Sequence, residues 1–193
     1  MHNKIKMGDK TAGQLDTLKT LSQLFSVKTV WDFECFDKNG NIKWQELNRP
    51  NMIVTEGLNS LLDVYLDAGT QIAAWYVIPI ETNTAPALTM TYAVPVFTEC
   101  TAYTESDRQA YDPAAASGGV MTNVASKAVF SINDTKIIYG AALVGGGTDA
   151  DVKGDVAGGG TLFCYSKFSA GKGVESGDTF RITISVTIAN TGS

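Results

Sequence analysis

"DTFRITISVTIA" spans Asp178 to Ala189. Phe180, Ile182, Ile184, Val186 and Ile188 fall on one side of an extended chain. Arg181, Thr183, Ser185 and Thr187 fall on the other. Side chains alternate faces along a strand, so this pattern predicts a strand with one face in a core. A helical winding would scatter the same apolar residues around its axis. This stretch therefore sets the class: sheets packed face to face.

The rest of the chain repeats the theme. In "SVKTVWDFEC" the positions Val27, Thr29, Trp31, Phe33 and Cys35 are apolar or β-branched and predict a second inward-facing strand. "KNGN" (38–41) follows, and its Asn-Gly pair is a strong hairpin signal. "IKWQEL" (42–47) is the return strand, with Pro50 as punctuation. Trp31 and Trp44 are placed to meet across this hairpin. Further strands are expected in "QIAAWYVIPI" (71–80), in the extended "TYAVPVFTECTAYT" (91–104), and at 126–133, 136–144 and 161–168. Many short strands with glycine- and proline-rich connections read as a sandwich or barrel.

Two segments break the period of two. "NMIVTEGLNSLLDVYLDAG" (51–69) predicts a helix capped by Asn51. Its apolar stripe is Ile53, Val54, Leu58, Leu61, Leu62, Tyr65 and Leu66, and Gly69 lies past its end. Gly57 costs such a helix up to about 1 kcal/mol relative to Ala, and is explained if the helix packs closely on a sheet. "QLDTLKTLSQLF" (14–25) spaces Leu15, Leu18, Leu21, Leu24 and Phe25 by threes and fours. That is an amphipathic segment of about three turns, marginal alone in water and in need of a surface to bury its leucines. The organisation expected is an N-terminal arm over 1–25 and a β-sandwich domain over 26–193.

Composition narrows the function classes. At 193 residues one domain is the default, able to bury roughly 70% of its unfolded surface without metal or disulfides. A net charge of −5 and the absence of any basic block argue against nucleic acid. No apolar run approaches the length of a membrane span, and no apolar core follows the first lysines as a secretory signal requires. Cys35, Cys100 and Cys164 are isolated, with no C-x-x-C pair, and read as small buried hydrophobes. His2 is the single histidine, so a histidine-based triad or metal site lacks its parts.

Two places invite chemistry. "GGGTDADVKGDVAGGG" (145–160) follows a predicted strand and formally opens with G-x-G-x-x-A. Dinucleotide binding needs a helix directly after, and four glycines within "DVKGDVAGGG" forbid it. As a calcium loop it places Lys153 and Gly160 where oxygen ligands belong. A looser calcium site from Asp149, Asp151 and Asp155 stays open, beside the plainer reading of a flexible acidic loop. Glu99 with Glu105 or Asp107, near Tyr103 and Arg108, could form the carboxylate pair of a hydrolase. The alternative is a solvated edge, or an ion pair with Arg108. Trp75 and Tyr76 are adjacent on a predicted strand and face opposite ways: one into the core, the other toward an interface or a sugar.

The order N-x-I-V-x-x-G-L-x-x-L-L-D, W-Y-V, E-x-x-x-Y, R-x-x-Y, a G-A strand and a closing G-D strand carries a resemblance. Here it falls on Asn51, Gly57, Leu58, Asp63, Trp75, Tyr76, Glu99, Tyr103, Arg108, Tyr111, Gly140, Ala141, Gly177 and Asp178. It covers roughly residues 50–189 and resembles the cement, or decoration, proteins of short-tailed bacteriophage capsids. The resemblance implies a mainly β, jelly-roll-like antiparallel sandwich with one inserted helix. It implies a structural role on the outer capsid surface, clamping neighbouring major capsid proteins, after synthesis in the host cytoplasm. A dimer or trimer is expected. No enzyme activity, cofactor, metal, nucleic acid, membrane or small-molecule substrate is expected. The partner-binding residues expected are Leu15, Leu18, Leu21, Leu24, Phe25, Trp75 and Tyr76. The alternative is a tail or adhesin sandwich module that binds carbohydrate or another tail protein.

Overall fold

The computed structural model describes residues 26–189. The strands are β1 (Ser26–Phe36), β2 (Ile42–Pro50), β3 (Met52–Ile53), β4 (Trp75–Ile80), β5 (Gln109–Ala110), β6 (Val120–Thr122), β7 (Ala128–Ser131), β8 (Lys136–Gly145), β9 (Thr161–Val174) and β10 (Thr179–Ala189). One helix, α1 (Thr55–Leu66), lies between β3 and β4. Among the described residues these strands form two five-stranded antiparallel sheets. One has the order β2-β1-β10-β6, with β7 also on β10; the other has the order β3-β9-β8-β4-β5. The chain is a mainly β sandwich, as its alternation implies. The arm expected over 1–25 lies outside the described residues.

The strand that opens the sequence argument is the spine of its sheet. β10 pairs with β1 along its whole length, from Ser26–Ala189 to Phe36–Thr179. Its other edge is shared by β7 at one end and β6 at the other. Between those two short strands the ladder would break. The buried side chain of Asn123 fills the gap: its amide group donates to Ile182 O and its carbonyl accepts from Ile184 N at 2.7 Å. Phe180, Ile182 and Ile184 are buried as expected, but Ile188 is 41% exposed, and Thr183 on the opposite face is buried.

The hairpin between β1 and β2 forms at 37–41. Gly40 takes φ +84°, and the Asp37 carboxylate accepts the backbone N–H groups of Asn39 and Asn41. Those bonds hold the Asp37 carboxyl below its usual range. Trp31 and Trp44 do not meet across it. The register sets Trp31 against Arg49 and Trp44 against Cys35, with a bulge between. Trp31 instead stacks on Phe33, and Trp44 packs on Phe168 and Phe180.

Two apolar clusters result. The first lies between the sheets and is rich in aromatics, including Trp31, Phe33, Phe130, Phe168 and Phe180. The second lies on the outer face of the β4-β8-β9 sheet and holds Val54, Ile78, Ile80, Met90, Tyr92, Ala142, Val144, Ala150, Leu162 and Tyr165. β4 divides cleanly between them. Trp75 and Val77 face the first cluster; Tyr76, Ile78 and Ile80 face the second. The three cysteines are free and buried, and burial pushes the thiols of Cys35 and Cys164 up to about 12. They serve as core residues.

Elsewhere the element boundaries move. Residues 71–74 are not strand, and 91–104 are loop with isolated bridges at Glu99 and Tyr103. α1 starts four residues after Asn51, which does not cap it. Met52 and Ile53 first pair with Tyr165 and Cys164, so Val54 stands at the cap position, without a side-chain bond. The last turn closes through Asp67 N and Gly69 N on Asp63 O, with Ala68 rather than Gly69 in the left-handed region, at φ +53°.

Gly57 is where helix and sheet touch. A Cβ there would sit 2.7 Å from Phe163 Cα, so only glycine allows the approach. In an isolated helix Gly57→Ala would stabilise by up to about 1 kcal/mol. In this fold overpacking decides the sign, and Gly57→Ala should destabilise by about 1–3 kcal/mol in urea unfolding. An unchanged or raised midpoint would contradict the packing.

Candidate docking surface

The second cluster is closed by two loops, and Arg108 joins them. Its side chain is 2% exposed. Nε donates to both oxygens of Glu99, at 3.1 and 3.0 Å, and Nη2 donates to Glu99 Oε2 at 2.6 Å. Nη1 donates to Tyr92 Oη and Ala150 O, and the remaining Nη2 proton reaches Asp155 O. All five donors of the guanidinium are thus used within the chain. The Arg108 backbone N–H adds a bond to Asp151 O.

The β8–β9 connection (146–160), expected to be a flexible tip, is therefore held by its own chain. Gly154 N donates to Glu99 Oε2, and Lys153 Nζ donates to Tyr103 O while sitting 3.9 Å over the Tyr103 ring. The Asp155 carboxylate accepts the Tyr92 hydroxyl at 2.8 Å and caps the amides of Ala157 and Gly158. Burial and the Asp155 carboxylate push the Tyr92 phenol up to about 12, so at neutral pH it remains a donor. The same bond holds Asp155 below its usual range. Glycines at 146, 147, 154, 159 and 160 supply the positive φ angles of this folded loop. Among the described residues no three His, Cys, Asp or Glu side chains gather as a metal site requires.

The carboxylates weighed for hydrolysis have separate structural partners. Glu99 forms the predicted ion pair with Arg108. Glu105 accepts the Ser131 amide, and Asp107 accepts the Ser106 hydroxyl. The cleft of about 200 Å³ beside Arg108 presents no spare donor from that guanidinium to an anion.

Trp75 and Tyr76 face opposite ways, as alternation requires, and both are half-buried. Tyr76 packs on the second cluster, and Trp75 meets Phe163 edge-on at 5.6 Å. Trp75 also lines an open cleft of about 430 Å³ with Gln109, Tyr111, Asp112, Ser126 and Lys127. The other expected contact residues, Leu15, Leu18, Leu21, Leu24 and Phe25, lie outside the described residues. No helix among the described residues is long and apolar enough to cross a membrane.

The surface that stands out is on α1. The stripe expected to pack inward is turned largely outward. Leu58 is 38% exposed, Leu62 54%, Leu66 75% and Tyr65 85%, while Gly57 is the helix's one buried residue. Sequence reasoning also missed the role of Glu56, which anchors the start of the helix. Its carboxylate accepts the amides of Tyr92 at 2.8 Å and Leu162 at 2.6 Å. Those bonds and the Gly57 contact tie the first turn to β9 and the Tyr92 loop, while Leu62, Tyr65 and Leu66 in the far half are exposed. A glutamate in a first turn is ordinary for a helix, so only the three-dimensional contacts mark it.

A scan against protein-family models finds none that matches this chain, and a search of curated proteins finds no relative.

Removing one member of a buried ion pair strands the other, at a cost of about 3–5 kcal/mol. Arg108→Met should lower stability by about that amount in urea unfolding. It should also speed amide exchange across 150–158 well beyond the sheet strands. Exchange there equal to wild type would contradict the anchoring role.

Proposed function

We propose that this chain is a structural protein of a phage virion, which binds the outer surface of the capsid and bridges neighbouring major capsid proteins. One observation carries the reading: a well-packed sandwich displays four large apolar side chains on one short helix. Contiguous apolar surface of this kind marks a site of protein association. The resemblance of the 50–189 pattern to capsid cement proteins supplies the kind of partner. Repetition over a lattice lets modest single contacts hold through avidity. The leucine spacing of 14–25, read from the sequence alone, would suit a further contact with a neighbour or a homo-oligomer. The protein would be made in the host cytoplasm and end on the virion surface. Phage shells purified without this protein should pull it down saturably on sedimentation. A pellet with no saturable binding would reject the assignment.

A second reading has its own observation. The cleft beside Trp75 combines an aromatic ring with Gln109, Asp112 and Lys127, the mixture that a saccharide's apolar faces and hydroxyls favour. On this reading the chain is a tail or adhesin module. Host polysaccharide should then change tryptophan fluorescence saturably, and Trp75→Ala should abolish the change; a flat titration of the wild type would remove this reading.

A further inference from the structure

α1 breaks two local rules at once. Its apolar residues recur at i, i+4, i+7 and i+8 (Leu58, Leu62, Tyr65, Leu66) yet point away from its own core. Its C-terminal half carries exposed Asp63, and exposed Asp67 follows at the C-cap, with no basic residue in the last turn. Backbone dipoles already make that end negative, so acidic groups there are unfavourable and a cation is wanted. Neither conflict is relieved by a described neighbour on this chain. Features that violate local preference without internal compensation gather at functional surfaces.

One kind of partner relieves both. We propose that α1 is the inserted helix of a helix-in-groove contact, and that its partner is a different protein bearing an apolar groove rimmed by Lys and Arg. This rests on the assembly reading above and names the chemistry of the surface that receives it. The i, i+4, i+7 anchors fill the groove. The rim cations meet Asp63, which flanks Leu66 on the helix surface, and the negative C-terminal end of α1 where Asp67 sits. The clamp at Glu56 and Gly57 fixes the helix direction in advance, which lowers the ordering cost of binding. A second copy fits poorly on the same face. α1 carries no Lys or Arg, so a copy of it offers no cation to Asp63 or to the negative C-terminal end of the helix.

The test uses the full chain and shells purified without it. Leu62→Asp and Leu66→Asp alter exposed positions, so folding is retained and is checked by circular dichroism. Each should weaken shell binding by about tenfold or more. The double variant Asp63→Lys with Asp67→Lys should weaken binding comparably at low salt and flatten its salt dependence. Val124→Asp, at an exposed apolar position between β6 and β7, should bind as wild type. If wild type binds and the α1 variants bind equally well, this inference is overturned while the assembly reading stands. Tighter binding by the charge-reversed double variant overturns the basic rim. A wild-type dimer in sedimentation velocity that Leu62→Asp dissolves makes a second copy the occupant and overturns the proposal. Wild type that fails to bind shells overturns the assembly reading and the inference together.

Discussion

Arg108 gives every donor it has to its own chain, and the outer half of the molecule depends on that. Its guanidinium joins Glu99 on one loop, Tyr92 on the same stretch, and the carbonyls of Ala150 and Asp155 on the β8–β9 connection. Without it, the two loops over the second apolar cluster would keep only their single bonds, such as Tyr92 Oη to Asp155 and Gly154 N to Glu99, and lose the group that joins them at four points. The pair is not an efficient source of stability, since both charges are stripped of water. Its contribution is uniqueness: one guanidinium, with five fixed donor directions, accepts one arrangement of loops.

That arrangement in turn positions α1. The loop carrying Tyr92 is held by Arg108 and offers its amide to Glu56. Glu56 also takes the amide of Leu162, and Gly57 lets the helix settle onto Phe163. A chain of contacts thus runs from a buried ion pair to the orientation of an exposed helix. The second cluster works as a rigid mount, and what it presents is an apolar stripe with an acidic border.

The sequence made the sandwich legible where one face of a strand meets solvent. The first cluster buries Trp31, Phe33, Cys35, Phe180, Ile182 and Ile184, which alternate along β1 and β10; exposed Ile188 and buried Thr183 depart from that pattern. In the opposite sheet, β4 and the middle of β8 are covered on both faces. Accordingly 71–80 and 136–144 read as unbroken apolar runs, from which burial could be inferred but not which residue faces which cluster. Glu99 and Arg108 were legible as a possible pair, being nine residues apart on a polar stretch. That they were buried was not, because the covering loop is remote in sequence. The glycine-rich connection misled for a physical reason: glycine marks positive φ, and positive φ serves tight folded loops as well as flexible ones. The α1 stripe was visible as amphipathic, but a hydrophobic pattern does not say whether the surface it fits is on the same chain. The segment 14–25 poses the same question, outside the described residues.

The central claim is that the β8–β9 loop is built in and α1 is held out for a partner. Hydrogen–deuterium exchange of the free and the shell-bound protein separates these two surfaces directly. The account predicts that peptides over 147–158 are protected already in the free protein and change little. It predicts that peptides over 58–66 gain protection on binding. Protection appearing over 147–158 on binding, with α1 unchanged, would contradict it.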